Sequence, residues 1–262
     1  MTETEAAGTL FVSGGGAGSP TLVLLHGLAA NAAVWQPLQP FLDERWRGRW
    51  IAPDLRGHGR SRWRGPYGFG MHAADVAALL PPDSDVIVIG HSMGGAIAMA
   101  LGSGWFAIRV RAILAFSVKL VWTREEVDKI RRIAEAPVRF FARREDAVER
   151  YLRVSGLHGL VDRDSPIASA GVMERREGFC VALDPLVYTA VGPDIADIAA
   201  ACRAPLRLAA GSGDAMVNGE EMRRIDPHAV VLDGLGHNLH VEAPEKIWRL
   251  LESTLQELRP RG

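Results

Sequence analysis

The 262-residue chain is predicted to be an α/β protein with a mostly parallel sheet flanked by helices. Two observations predict it. Short apolar runs bounded by turn residues alternate with longer helical patterns along most of the chain. Several of these runs carry Val, Ile and Leu at successive positions, so both faces are apolar, as a sheet covered on both sides requires. In chain order the strand candidates are residues 9–13, 21–26, 49–53, 85–90, 111–116, 205–210 and 229–233. Helices are expected over 71–80, 92–101, 194–202 and 244–258. The last places Ile247, Leu250, Leu251, Leu255 and Leu258 at helical spacing, with Pro244 suited to its first turn.

Between Ser117 and about Val191 the rhythm changes. Some seventy residues pass without a clear buried strand, and residues 124–153 are helical in pattern and densely charged. Strand-like runs resume at Pro205. The expectation is therefore one catalytic core built from residues 1–116 and 192–262, with 117–191 inserted as a helical cap. No internal repeat or low-complexity tract is visible.

Composition excludes several classes. The chain holds 30 basic and 31 acidic residues for a formal charge of −1, without the basic excess of a nucleic-acid or membrane-surface binder. The charged stretch 124–153 has nine Lys or Arg against seven Asp or Glu, which fits a solvated, salt-bridged helical face better than an anion clamp. The long stretch 6–42 lacks charges but is broken by Gly14-Gly15-Gly16, Pro20, Asn31 and two further prolines, so no run reaches the roughly 18 apolar residues of a spanning helix. The acidic start Met1-Thr2-Glu3-Thr4-Glu5 is unlike a secretory leader. Cys180 and Cys202 are read as buried thiols in a reducing compartment, and the expected location is cytoplasmic.

The sharpest feature is Gly90-His91-Ser92-Met93-Gly94-Gly95, a G-x-S-x-G pattern directly after an apolar strand run and before the small-residue helix Ala96-Ile97-Ala98-Met99-Ala100. A strained strand-to-helix turn of this kind presents a serine hydroxyl above the sheet, with glycines where side chains would clash. The helix start beneath it aims free N–H groups at developing negative charge. A serine nucleophile needs a base, and the base an orienting acid. Asp214 lies just past the strand 205–210, and His237 lies in a glycine-framed loop just past 229–233. Asp233 is the alternative acid.

Two further motifs accompany these: His26-Gly27-Leu28 after the strand at 21, and Asp54-Leu55-Arg56-Gly57-His58-Gly59-Arg60-Ser61 after the strand at 49. Together, from about Thr21 to Glu245, the chain resembles the α/β-hydrolase-fold superfamily, in the serine-nucleophile branch with a helical cap that includes esterases, lactonases and carbon–carbon hydrolases. The resemblance implies Ser92 as nucleophile, His237 as general acid/base and Asp214 as its orienter, with the backbone N–H groups of Leu28 and Met93 as the oxyanion hole. It implies that His26 and His58 fix loops, while His91 fills the variable position before the nucleophile.

The expected reaction is two-step hydrolysis of a small carboxylic ester or lactone through an acyl-enzyme, with a small molecule as the partner and no cofactor. Carbon–carbon hydrolysis of a ring-cleavage product, thioester hydrolysis or acyl transfer, and cofactor-free perhydrolysis use the same triad and stay open. So does a non-catalytic ligand receptor on the same scaffold. Serine at the elbow argues against dehalogenases and epoxide hydrolases, which carry aspartate there. His237 and His240 are three apart, but no Cys or carboxylate cluster supports a metal site. In the cap, Leu120, Trp122, Leu157 and Val161 could roof the pocket or form its core, and Trp122, Leu157 and His158 are the substrate-contact candidates. Oligomeric state is not legible.

Overall fold

The computed structural model describes residues 2–6, 10–190 and 194–257. Along the first part of the chain lie β1 (Thr2–Ala6), β2 (Leu10–Gly15), β3 (Thr21–Leu25), α1 (Gln39–Arg45), β4 (Trp50–Pro53), α2 (Phe69–Ala77), β5 (Asp85–His91), α3 (Met93–Leu101) and β6 (Arg109–Phe116). Next come α4 (Arg124–Ala134), α5 (Arg144–Val154), α6 (Pro166–Ala170), β7 (Val172–Arg175) and β8 (Gly178–Val181). The chain then returns through α7 (Ile195–Ala201), β9 (Leu206–Gly211), α8 (Gly219–Ile225), β10 (Val230–Leu232), α9 (Leu239–Glu242) and α10 (Pro244–Glu257). Eight strands form one sheet in the order β1-β2-β4-β3-β5-β6-β9-β10. The β1–β2 and β2–β4 pairings are antiparallel and the rest parallel.

The period of two along a strand explains how the sheet is buried. Val23, Leu25, Val86, Val88, Ile113 and Ala115 join one apolar cluster with α2 and α3, while Leu22, Leu24, Ile87, Ile89, Ala112 and Leu114 join another with α10. Alternate side chains point to opposite faces, so a continuous apolar run is what a strand covered on both sides needs. On α10, Ile247 and Leu251 of the predicted apolar face are buried, Leu250 and Leu255 are half-buried against the same cluster, and Trp248 is buried beside them; each fully buried aliphatic side chain is worth about 1.5–3 kcal/mol.

Some elements differ from expectation. The interval between β6 and β9 is not wholly helical: β7 and β8 form an antiparallel hairpin, Val172 opposite Val181 and Arg175 opposite Gly178. Four-residue strands with half-exposed and charged positions leave no buried apolar run to detect. The 3-10 turns at Ala32–Leu38 and Pro185–Thr189, together with β1, α1, α8 and α9, were also illegible for want of length or periodicity. Thr9, Leu258 and the boundary expected near Val191 lie outside the described residues. Val148, Tyr151 and Leu152 of α5, and Leu157, Ile167 and Ala168, continue the same apolar cluster as α10, so this interval packs onto the sheet through a shared core. Among the described residues no helix is long and apolar enough to cross a membrane.

Candidate active site

The parallel strands end together, and the loops that leave them carry the chemistry. At the end of β5, Ser92 has φ 51° and ψ −117°, a left-handed conformation that a side chain rarely adopts. Its N–H donates to the Phe116 carbonyl at 2.9 Å, which holds the turn against the end of β6. A Cβ on Gly94 would lie 2.2 Å from the Leu25 carbonyl oxygen, and one on Gly90 would lie 2.4 Å from that of Gly94. The glycines of the motif are therefore required by close backbone approach.

Past β9, Asp214 is buried and its Oδ1 accepts the Met216 N–H at 3.0 Å. Its Oδ2 lies 2.8 Å from Nδ1 of His237, so Nδ1–H donates and Nε2 is left free to take a proton. Burial pushes the Asp214 carboxyl up, but the hydrogen bond and charge of His237 and the Met216 N–H outweigh it, and the net shift is below the usual carboxylate range. The Asp233 carboxylate instead accepts the Ser212 hydroxyl at 3.1 Å. Of the two acids left open by the sequence, Asp214 is the one that meets the histidine.

Ser92 and His237 line one cavity of about 580 Å3, without a hydrogen bond to each other among the described residues, a spacing common before substrate draws such groups together. Leu28 and Met93 line it too, and Met93, as the first residue of α3, has no intrahelical acceptor for its N–H. The wall is mainly apolar, with Phe69, Val118, Trp122, Ile130, Val187 and Tyr188 contributing. Lys119 reaches it, but its ammonium is paired with Glu126 and sits 4.9 Å from the Trp122 ring centroid.

Trp122 is the one sequence-nominated contact that reaches this wall. Leu157 does not: the turn closing α5, in which the Leu157 N–H donates to the Leu152 carbonyl at 2.8 Å, drives the side chain into the core, where it is fully buried. Nor does His158, whose half-exposed ring stands 3.3 Å from Glu149 on the surface. Leu120 and Val161 are packing residues as well.

The histidines of the motifs act as loop fasteners. Nε2 of His26 accepts the Leu55 N–H at 2.9 Å, and Nδ1 of His58 stands 3.1 Å from the Arg56 carbonyl. His91, in the variable position before Ser92, reaches the same loop: its Nε2 lies 3.0 Å from the His237 carbonyl and its ring is edge-on to that of His237 at 4.9 Å. Burial holds His91 well below the ordinary imidazole value, so it is neutral and donates this bond. Glu242 and Asn238, beside His237, also hold its loop. Among the described residues no three His, Cys, Asp or Glu side chains converge to hold a metal. Cys180 is buried, Cys202 half-buried, and neither forms a disulfide.

Residues 22–250 match the model of the alpha/beta hydrolase family, and the chain belongs to that family. It is 38% identical over 91 residues to the lipase LipV of Mycobacterium tuberculosis, covering 34% of each chain. It is 26% identical over 173 residues to the human protein phosphatase methylesterase 1, covering 63% of this chain and 44% of that one. The chain thus spans between about a third and under half the length of these curated relatives. In fold it is similar to the crystal structure of E-2-(acetamidomethylene)succinate hydrolase, with a TM-score of 0.77 at 24% identity over 94% of this chain and 95% of that one.

Proposed function

We propose that this protein is a serine hydrolase that cleaves a small, uncharged carboxylic ester or lactone through an acyl-enzyme. The observation that carries the reading is the strained Ser92 and the Asp214-oriented His237 opening into a single apolar cavity. Nε2 of His237 takes the Ser92 proton as Oγ attacks the substrate carbonyl, and the N–H groups of Leu28 and Met93 hold the oxyanion. The same histidine then protonates the leaving group, and afterwards activates the water that releases the acyl group. Each oxyanion donor is expected to supply about 3–4 kcal/mol of transition-state stabilisation. The esterase and lipase names among the relatives, and the pairing of both lining cations, Lys119 with Glu126 and Arg153 with Glu149, favour a neutral ester. Residues 117–191 act as a cap, a reading supported by α4, the turn after α5 and the turn at 185–189, all of which contribute to the cavity wall.

The test is chemical. A serine-directed organophosphate should leave its adduct on Ser92, and Ser92→Ala should lose turnover of a responsive ester by roughly 10⁶-fold while keeping its fold. Absence of the adduct would favour a ligand receptor. A screen of short and long esters, lactones and thioesters then identifies the substrate.

A further inference from the structure

The loop carrying His237 is gripped symmetrically. One carboxylate, Glu242 of α9, accepts the Gly236 N–H at Oε2, 2.7 Å away, and the Asn238 N–H at Oε1, 2.9 Å away. Both chain neighbours of the histidine are thereby bound to a single rigid group. Asn238 in turn reaches outward: it is buried, and its Nδ2 donates to the carbonyls of Gly156 at 3.0 Å and Ser155 at 3.4 Å. These carbonyls belong to the turn that ends α5, where the helix itself offers no donor. That same turn, residues 153–156, forms part of the wall of the cavity that holds Ser92 and His237.

We propose that Asn238 and Glu242 are positioning residues that link the cavity wall at 153–156 to the ring of His237, so that a substrate group seated on this wall aligns the base. The inference rests on the acyl-enzyme reading above. A group pressed against the turn bears on the two carbonyls that Asn238 holds. Because Glu242 holds the loop on both sides of His237, the load reaches the histidine backbone instead of being absorbed by slack. Binding contacts made far from the scissile bond then appear in kcat and not only in KM. His91 secures the His237 carbonyl from the sheet side and is not part of this link.

The experiment uses the full chain and two series of esters, one lengthened on the acyl side and one on the alcohol side, together with a small organophosphate. In the wild-type protein kcat should rise along at least one series as the added group reaches the wall. In Asn238→Ala, kcat for the long ester should fall by roughly tenfold or more towards that of the short one, with KM changing less. Glu242→Gln, nearly isosteric and able to accept only one of the two N–H groups, should flatten the series in the same way and covers the case in which Asn238→Ala does not fold. A flat wild-type series, an equal loss for short and long esters in the folded variants, or no loss at all would overturn the link. Failure of the organophosphate to modify wild-type Ser92 would remove the reaction itself and the proposal with it. An adduct on Ser92 with an unchanged series would remove the link alone.

Discussion

At Ser92 the backbone is bent into a left-handed conformation that the surrounding glycines make room for, and this strained turn sets the residue in the cavity wall. What this serine can do depends on the histidine, and the histidine depends on which carboxylate it meets. Asp214 stays ionised because the His237 hydrogen bond and charge and a backbone N–H outweigh its burial. Asp214→Asn should therefore lower kcat/KM by about 10²–10⁴-fold. Asp233→Asn, which alters only the contact with Ser212, should leave steady-state ester kinetics within about twofold of wild type. Equal losses in the two variants would reassign the orienting acid. Both carboxylates were visible as candidates in the sequence, but the 2.8 Å contact that separates them arises from how β9 and β10 pair, which no local pattern encodes.

The secondary elements sort the nominated pocket residues by direction. After α5 the chain turns so that Leu157 faces the core and His158 faces solvent, while Trp122, between β6 and α4, faces the cavity. Leu157→Ala should thus destabilise the fold by about 2–5 kcal/mol, seen as a lower urea midpoint, with little change in KM. Trp122→Ala should do the reverse, raising KM for an apolar ester severalfold, as expected for a lost wall contact, with a smaller fall in midpoint than Leu157→Ala because Trp122 is only partly buried against the core. If Leu157→Ala shifted KM as strongly as Trp122→Ala does, the placement of the turn after α5 would be wrong. Apolar residues in a charged helical stretch look alike in sequence, because a core contact and a pocket contact differ only in which surface lies opposite.

At the scale of the molecule, five histidines among the described residues are buried and held neutral. Burial pushes His26 and His72 down to about 4 and His240 to about 3, and holds His58 and His91 well below the ordinary value. His240 lies against the rings of Trp35, Phe116 and His91, and neither of its nitrogens has a hydrogen-bond partner among the described residues. In the unfolded chain each of these rings takes up a proton near pH 6.5, whereas in the native state His26 and His72 refuse it until about pH 4 and His240 until about pH 3, and burial keeps His58 and His91 neutral well below the ordinary value too. The unfolded state therefore binds more protons in that window, and stability should fall as pH drops from about 6.5 towards 4. A melting temperature at pH 5 lower than at pH 7 by several degrees is expected, and His240→Leu should make the decline shallower. A slope unchanged in His240→Leu would show that this ring does not contribute.

By itself the sequence determined the sheet-and-helix alternation, the faces of the central strands and the separate signatures around Ser92, Asp214 and His237, since each depends on local periodicity or on a few adjacent residues. The elbow was legible because its glycines, serine and flanking strand are contiguous. The tertiary structure alone decided which carboxylate meets His237, which interval residues reach the cavity, and that Glu242, Asn238 and His91 converge on the His237 loop. Those relations join positions up to 146 residues apart, and they are set by strand order and by the shared core beneath residues 148–168. Packing brings such groups together without leaving any spacing rule in the chain.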